Sequence, residues 1–458
     1  MAFFNIRVMP KNKHKFKNVL NWCLDSPITK PEVDIEDIRC KGLLIKGWLI
    51  FSSEERRRLV ILDGKREVTL DQNKPRPDVI LRVLSESFEN HSQLECGFEK
   101  PFVPESSSIK VALKDGVSYI PLVEILIENS MNVLRGKGNW LFLGNDTNKS
   151  VEQFTGKMTI YRNELKNWSL YFRDLQSLSK EADTTICTLI APSKEMVYEE
   201  VYPYKRGKKT PISQLQNIVP EDITFIYPES ELRNSHFRTY RLTDTHWTHQ
   251  GAYQATLLVA RKLNPTAAQL EDLFIEDKYN NRSLCGDLGS KLYPPVYAQE
   301  RQLCSFTYRD FLLFDNKINN FGRLIVIYNP SAYQGKTLLI FGSSSAYSMF
   351  NYFCRIYRTI VFAHTAGSID KNMMEIINPT HLLLQTNSRF IVRAPSASFD
   401  FFEEVRKKLL DGEINHRYIY RKKKISLTND RRLIKTLKLL KGLTDSSIET
   451  VKEILKTR

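Results

Sequence analysis

Lys336-Thr337-Leu338-Leu339-Ile340-Phe341-Gly342-Ser343-Ser344-Ser345 is the stretch on which the reading of this chain turns. Four apolar residues in succession, Leu338 to Phe341, read as a buried strand rather than as a half-exposed one, which would alternate. The run stops at Gly342, and a glycine followed by serines suits a tight turn from a strand into a helix. Upstream, Asp244-Thr245-His246-Trp247 precedes a helical pattern with Ala252, Ala255, Leu258 and Val259 as its apolar stripe. Strands are predicted at Trp140–Leu143, Thr184–Ile190, Ile223–Tyr227, Thr359–Phe362 and His381–Leu384, and a long helix at Lys157–Leu178. Strands alternating with helices define an α/β domain, placed here over residues 131–416.

Ahead of it the pattern is all-β. Leu43–Phe51 reads as a strand, and two hairpins are predicted around Asp63-Gly64 and Asp115-Gly116, dipeptides that suit turns with positive φ. Short strands at this spacing predict a small all-β sandwich over residues 33–127, behind a basic leader (residues 1–32) carrying Lys11, Lys13, Lys15 and Lys17. Gly47-Trp48, Arg76-Pro77-Asp78-Val79 and Cys96-Gly97-Phe98 resemble an accessory module found beside bacterial glycan-modifying enzymes. Trp48, Phe98 and Phe102 could stack on sugar rings, but aromatics in a small sandwich are more often core.

The chain has 458 residues, too many for one ordinary core, and 42% hydrophobic with 26% charged residues excludes a collagenous or disordered polymer. Lys and Arg number 67 against 52 acids, for a net charge of +15. Residues 417–458 hold 13 Lys and Arg against 4 acids, so the asymmetry is concentrated in a basic C-terminal helical segment. Arg421-Lys422-Lys423-Lys424 and the later basic residues read as a solvated helical face that an anionic polymer or membrane surface could meet; nucleic acid is the less expected partner. Seven scattered cysteines without a C-x-x-C pair argue against a disulfide framework and a zinc cage, and favour a reducing compartment. With no apolar run of signal-peptide or membrane-span length, the expectation is a soluble protein of the cytoplasm, peripheral at the inner membrane face if the tail binds there.

Serine is a poor nucleophile at neutral pH and needs a histidine to take its proton and a carboxylate to orient that histidine. Asp244 and His246 are close enough in sequence for one loop to present both, and Ser344 sits at the predicted strand end. A metal reading of His246 with His249 lacks a third ligand at recognisable spacing, so no metal is expected. Trp247 reads as a packing residue.

Gly136-Lys137-Gly138-Asn139-Trp140-Leu141-Phe142-Leu143, Pro192-Ser193-Lys194 with Tyr198, Asp244-Thr245-His246-Trp247-Thr248 with Gly251-Ala252, and Phe341-Gly342-Ser343-Ser344 together resemble the alginate O-acetyltransferase-like branch of the SGNH hydrolase superfamily, over Arg135 to Phe402. The resemblance implies an SGNH-like, mostly parallel sheet with helices on both faces. It also implies Ser344 as nucleophile, His246 as base and Asp244 as its orienting partner, in the order Asp-x-His before Ser. The family commonly has Gly-Asp-Ser or Gly-Thr-Ser where this chain has Gly342-Ser343-Ser344, which keeps Ser345 as a second candidate. The superfamily's oxyanion hole implies Gly367 and Asn387, which follow the next two strands, and Arg389 is a candidate substrate contact.

The expected activity is transfer of an acetyl group through an acyl-serine onto a hydroxyl of a bacterial surface polysaccharide such as capsule, an anionic one included. Acetyl-CoA is the expected donor, with no bound cofactor. The basic tail would serve peripheral association with the membrane or a glycan-assembly complex. The alternatives are a carbohydrate acetyl esterase with the same three residues, and a non-catalytic glycan-binding or scaffold protein.

Overall fold

The structure is a computed structural model, and it describes residues 3–11, 18–53, 56–129, 133–144, 146–181, 184–265, 269–411, 419–421, 425, 428 and 430–456. The chain divides into two units, Met1–Val133 with Asp287–Tyr297, and Leu134–Gly286 with Ala298–Arg458.

In the first unit, six antiparallel strands stand in the order Lys30–Asp34, Phe3–Pro10, Ser118–Asn129, Ser108–Asp115, Arg58–Asp63, Arg66–Thr69. Three more, Val19–Ser26, Leu43–Phe51 and Gly97–Phe102, form a second antiparallel sheet. Both sheets feed one core, with Phe4, Ile61, Val111 and Ile125 from the first and Ile45, Leu49 and Phe102 from the second. Gly64 and Gly116 turn the two expected hairpins at φ +61° and +60°. Phe98 and Phe102 are buried in this core, so packing is their role here. Residues 1–32 do not form a separate leader: Phe3–Pro10 and Val19–Ser26 are sheet strands, while Lys13, Lys15 and Lys17 lie outside the described residues. Asp287–Tyr297, which the sequence pattern assigned to the α/β domain, adds Tyr293 to the sandwich core, edge-on to Phe4 and donating from its hydroxyl to the Pro104 carbonyl. A loop carries no periodic signal of the surface it packs on, which is why the reading missed it.

The second unit is built on an eight-stranded sheet in the order Phe225–Ile226, Thr185–Ala191, His381–Asn387, Gln334–Gly342, Tyr357–His364, Leu324–Tyr328, Leu312–Asp315, Ile419–Tyr420. The first five run parallel, and the last three join by antiparallel pairing. The sheet is therefore mixed. Leu312–Asp315 and Leu324–Tyr328 are joined by a loop too short for the crossover that parallel neighbours need. Alternation along the central strands assigns the two faces. Leu339, Phe341, Val361, Leu382 and Leu384 share a core with the helices Arg162–Glu181, Phe401–Leu410 and Arg431–Lys456. Leu338, Ile340, Ile360, Phe362 and Leu383 share the other with His249–Leu263 and Phe350–Ile356.

The basic tail is part of this unit. Leu433, Leu437, Leu440 and Val451 are buried in the sheet's core, and the helix packs on Phe401–Leu410, while Arg431, Lys435 and Lys438 face solvent. Residues 422–424 of the basic run lie outside the described residues. Because Leu437 is fully enclosed, Leu437→Ala is expected to destabilise the protein by about 2–5 kcal/mol, read as a lower denaturant midpoint. An unchanged midpoint would mean that the tail is an appendage.

Candidate active site

The strand Gln334–Gly342 delivers its serines to the C-terminal edge of the parallel strands, where Ala191 and Asn387 also end, the edge at which open α/β sheets place their sites. A Cβ at Gly342 would lie 2.9 Å from the Phe362 ring and 3.3 Å from Gln385 Oε1, so only glycine lets the turn sit this close to the neighbouring strands. Ser343 is tied down there: its backbone N–H and its hydroxyl both donate to Gln385 Oε1, at 2.8 and 2.9 Å. Ser345 is occupied too, its hydroxyl donating to Asn387 Oδ1 at 2.9 Å. Ser344 Oγ stands 2.9 Å from His246 Nε2, across 98 residues of sequence.

The spacing of Asp244 and His246 explains the other half. Asp244 Oδ1 accepts from the His246 backbone N–H at 2.8 Å and lies 2.7 Å from its ring Nδ1, so one carboxylate oxygen fixes both the loop and the imidazole. With Nδ1–H donated to Asp244, Nε2 is the nitrogen left to accept the Ser344 proton. Burial would push the Asp244 carboxyl up, but the hydrogen bonds and charge of His246, with Arg241, outweigh it and hold it well below the usual carboxylate range.

Several groups keep this loop in place. Lys194 is buried, and its ammonium donates to the carbonyls of Leu141, Leu242 and Asp244 at 2.7, 2.9 and 3.0 Å. The Leu242 N–H donates to Glu300 Oε1, whose other oxygen takes Arg238. A Cβ at Gly286 would lie 2.2 Å from the Thr243 carbonyl, so a side chain there would displace the loop. Trp247 Nε1 donates to the Ser345 carbonyl at 2.7 Å. Since Trp247 adjoins His246 and Ser345 adjoins Ser344, this bond sets the separation of the two reacting groups. Trp247 is thus a packing residue with a registering hydrogen bond.

A cleft opens here, its wall including His246, Ser345, Asn387, Arg389, Ser193 and Glu195. Asn387 lines it, and with Oδ1 accepting from Ser345 its amide N–H groups remain as donors for an oxyanion. Gly367 is not in that wall. At φ +95° its carbonyl accepts from the Tyr171 hydroxyl, on the face of the helix Arg162–Glu181, and its backbone N–H, the expected oxyanion donor, is not among the groups lining the cleft. Arg389 lines the cleft, as a substrate contact would. His249 meets Gln302 at 3.2 Å, and burial, with the charge of Arg241, pushes its pKa down to about 4.

The sequence reading overlooked Gln385, which anchors Ser343, and Glu195. The charged pair Lys194-Glu195 directly after an apolar strand was the available signal, because two charges beside a buried strand end must find partners or shift their pKa. Burial pushes Glu195 up to about 7, against a hydrogen bond from its own N–H and the charge of Arg389.

Residues 133–299 match the family model described as SGNH hydrolase-like domain, acetyltransferase AlgX. The match includes Asp244 and His246; Ser344 lies beyond it. Among solved structures the chain is similar to Bacillus cereus PatB1 (14% identity over 60% of this chain and 100% of that one, TM-score 0.43) and to the O-acetyltransferase domain of Pseudomonas putida AlgJ (17%, 61% and 99%, 0.39). Pseudomonas aeruginosa AlgX is similar at 10% identity over 58% of this chain and 63% of that one, with a TM-score of 0.32. Searched against curated sequences, the chain has no match.

Glu195 yields a pH prediction. Its folded pKa of about 7 lies above the unfolded value of roughly 4.3, so the folded state holds the proton longer and stability falls as pH rises between the two. Glu195→Gln is therefore expected to leave stability nearly unchanged at pH 4 and to raise it at pH 8, by on the order of 3 kcal/mol. Equal effects at the two pH values in urea titrations would contradict the burial account.

Proposed function

We propose that the protein is an O-acetyltransferase that carries an acetyl group on Ser344 and passes it to a hydroxyl of a bacterial surface polysaccharide. The observation that carries this reading is the relay of Asp244, His246 and Ser344, whose two contacts of 2.7 and 2.9 Å join a carboxylate, an imidazole and a hydroxyl in the order nucleophilic acyl transfer needs. His246 Nε2 takes the Ser344 proton as Oγ attacks the acetyl carbonyl. Asn387 N–H groups hold the oxyanion, and His246 returns the proton to the departing donor group. In the second half, a sugar hydroxyl gives its proton to His246 and attacks the acyl-serine, so that the new ester leaves and Ser344 regains its proton. Asp244 stays ionised throughout and compensates the imidazolium.

Acetyl-CoA is our candidate donor, which would place the reaction in the cytoplasm, at the inner membrane face if the exposed basic side of the C-terminal helix meets anionic lipid or a glycan-assembly complex. Among the described residues no helix is long and apolar enough to cross a membrane. Hydrolysis differs from transfer only in that water takes the place of the sugar hydroxyl, so the same three residues would serve an esterase.

The test is acetyl release and transfer from acetyl-CoA and from a small acetyl ester, with and without polysaccharide. Ser344→Ala and His246→Ala are each expected to reduce both by at least about 10³-fold, with the double variant hardly worse than either. Near wild-type turnover in Ser344→Ala would reject the nucleophile, and acetate release that no polysaccharide diverts would identify an esterase.

A further inference from the structure

The cleft has a second lobe, and the two lobes share Ser150, Ser193, Glu195 and Arg389. Four polar side chains thus form a common wall beside His246 and Asn387. None has a part in the proton relay.

The charges of this wall largely cancel. Arg389 is the cation not locked into backbone carbonyls, since the Lys194 ammonium already holds three. Arg389 acts on Asp146, where burial pushes the carboxyl up but hydrogen bonds from Ser150 and Asn148 and the Arg389 charge win, so that it sits below the ordinary value and is ionised. Glu195, 6% exposed, lies within reach of the same guanidinium charge. The positive charge of Arg389 is therefore offset by Asp146, which accepts from Ser150 in the shared wall, and by Glu195 once that carboxyl ionises, so an incoming carboxylate gains little there. Hydrogen-bonding capacity is not exhausted in the same way. Arg389 Nε is buried without a hydrogen-bond partner among the described residues. A buried donor left unmade is a cost that a ligand oxygen reaching it would remove, and Arg389 lines both lobes.

Resting on the acetyl-transfer reading of the adjoining serine, we infer that Glu195 and Arg389 form the acceptor subsite, and that it takes a neutral sugar residue by two hydroxyls on adjacent carbons. One hydroxyl donates to the Glu195 carboxyl and its neighbour accepts from the Arg389 guanidinium, a pairing that requires a donor and an acceptor side by side. The shared wall then sets the rest of the ring against His246, where a further hydroxyl of the same residue meets the acyl-serine. An acidic sugar gains no net charge attraction there, because Asp146, and Glu195 once ionised, offset Arg389.

Binding can be measured without turnover. The full chain carrying Ser344→Ala is titrated, by ligand-observed nuclear magnetic resonance, with methyl glucoside, galactoside and mannoside and with the methyl glucuronide and galacturonide. At pH 8, where Glu195 is ionised, at least one neutral glycoside is expected to bind about tenfold more tightly than either uronide, and adding Glu195→Gln is expected to weaken it about tenfold, the value of one hydrogen bond to a charged group. Arg389→Gln should do the same, which guards against a local effect of either variant, and thermal melts check that both fold. Uronides binding as well as the neutral glycosides, unchanged affinity in both variants, or no binding of any glycoside would each overturn the proposal. Because Ser344→Ala forms no acyl-enzyme, a failure here is distinct from a failure of the acetyl-transfer reading, which the turnover assays decide.

Discussion

A carboxylate removed from water stays ionised only if its neighbours supply what water did, and for Asp244 His246 and Arg241 both contribute. One of its oxygens holds both the backbone and the ring of His246, and Arg241 stands 3.6 Å from the other. The chemistry depends on this arrangement, because it selects the tautomer that leaves Nε2 open toward Ser344. Two-residue spacing is what makes it feasible. A carboxylate one position nearer or farther could not reach the N–H and the ring together without bending the loop.

The surrounding structure serves to hold two chain segments, far apart in sequence, within one hydrogen-bond length. From one side Lys194, Glu300 and Gly286 fix the loop that carries Asp244. From the other, Gln385 immobilises Ser343 and thereby aims the next residue. Trp247 joins the halves. Charged groups are used here as structural ties inside the protein, at a desolvation cost that only complete hydrogen bonding offsets. Lys194 makes three bonds to carbonyls, and both Glu300 oxygens are engaged, in keeping with that requirement.

Local signals carried much of the reading. The run Leu338–Phe341 into Gly342 marked a buried strand and its turn, Asp-Gly pairs marked both hairpins, and Asp-x-His marked a loop able to offer two groups to one site. These features are legible because each is decided by a few adjacent residues. What escaped was non-local. Nothing near Gly367 in sequence shows that its carbonyl is committed to Tyr171, and the antiparallel strands on the sheet edge follow from pairing that no short window records. The tail misled in a different way: its charges are conspicuous, while Leu433, Leu437 and Leu440 repeat at helical spacing and disclose a docked face only once the surface they cover is known. Glu195 was invisible as a titrating group because burial, not sequence, moves its pKa.

The central claim is that the acetyl group rests on one particular oxygen. Mixing the full-length protein with an acetyl donor, quenching in acid within the first turnover and mapping the peptides by mass spectrometry reads that directly. One acetyl group is expected on Ser344, and none in protein carrying His246→Ala. An acetyl group on Ser345, or transfer that proceeds with no acetylated peptide at any quench time, would contradict the account.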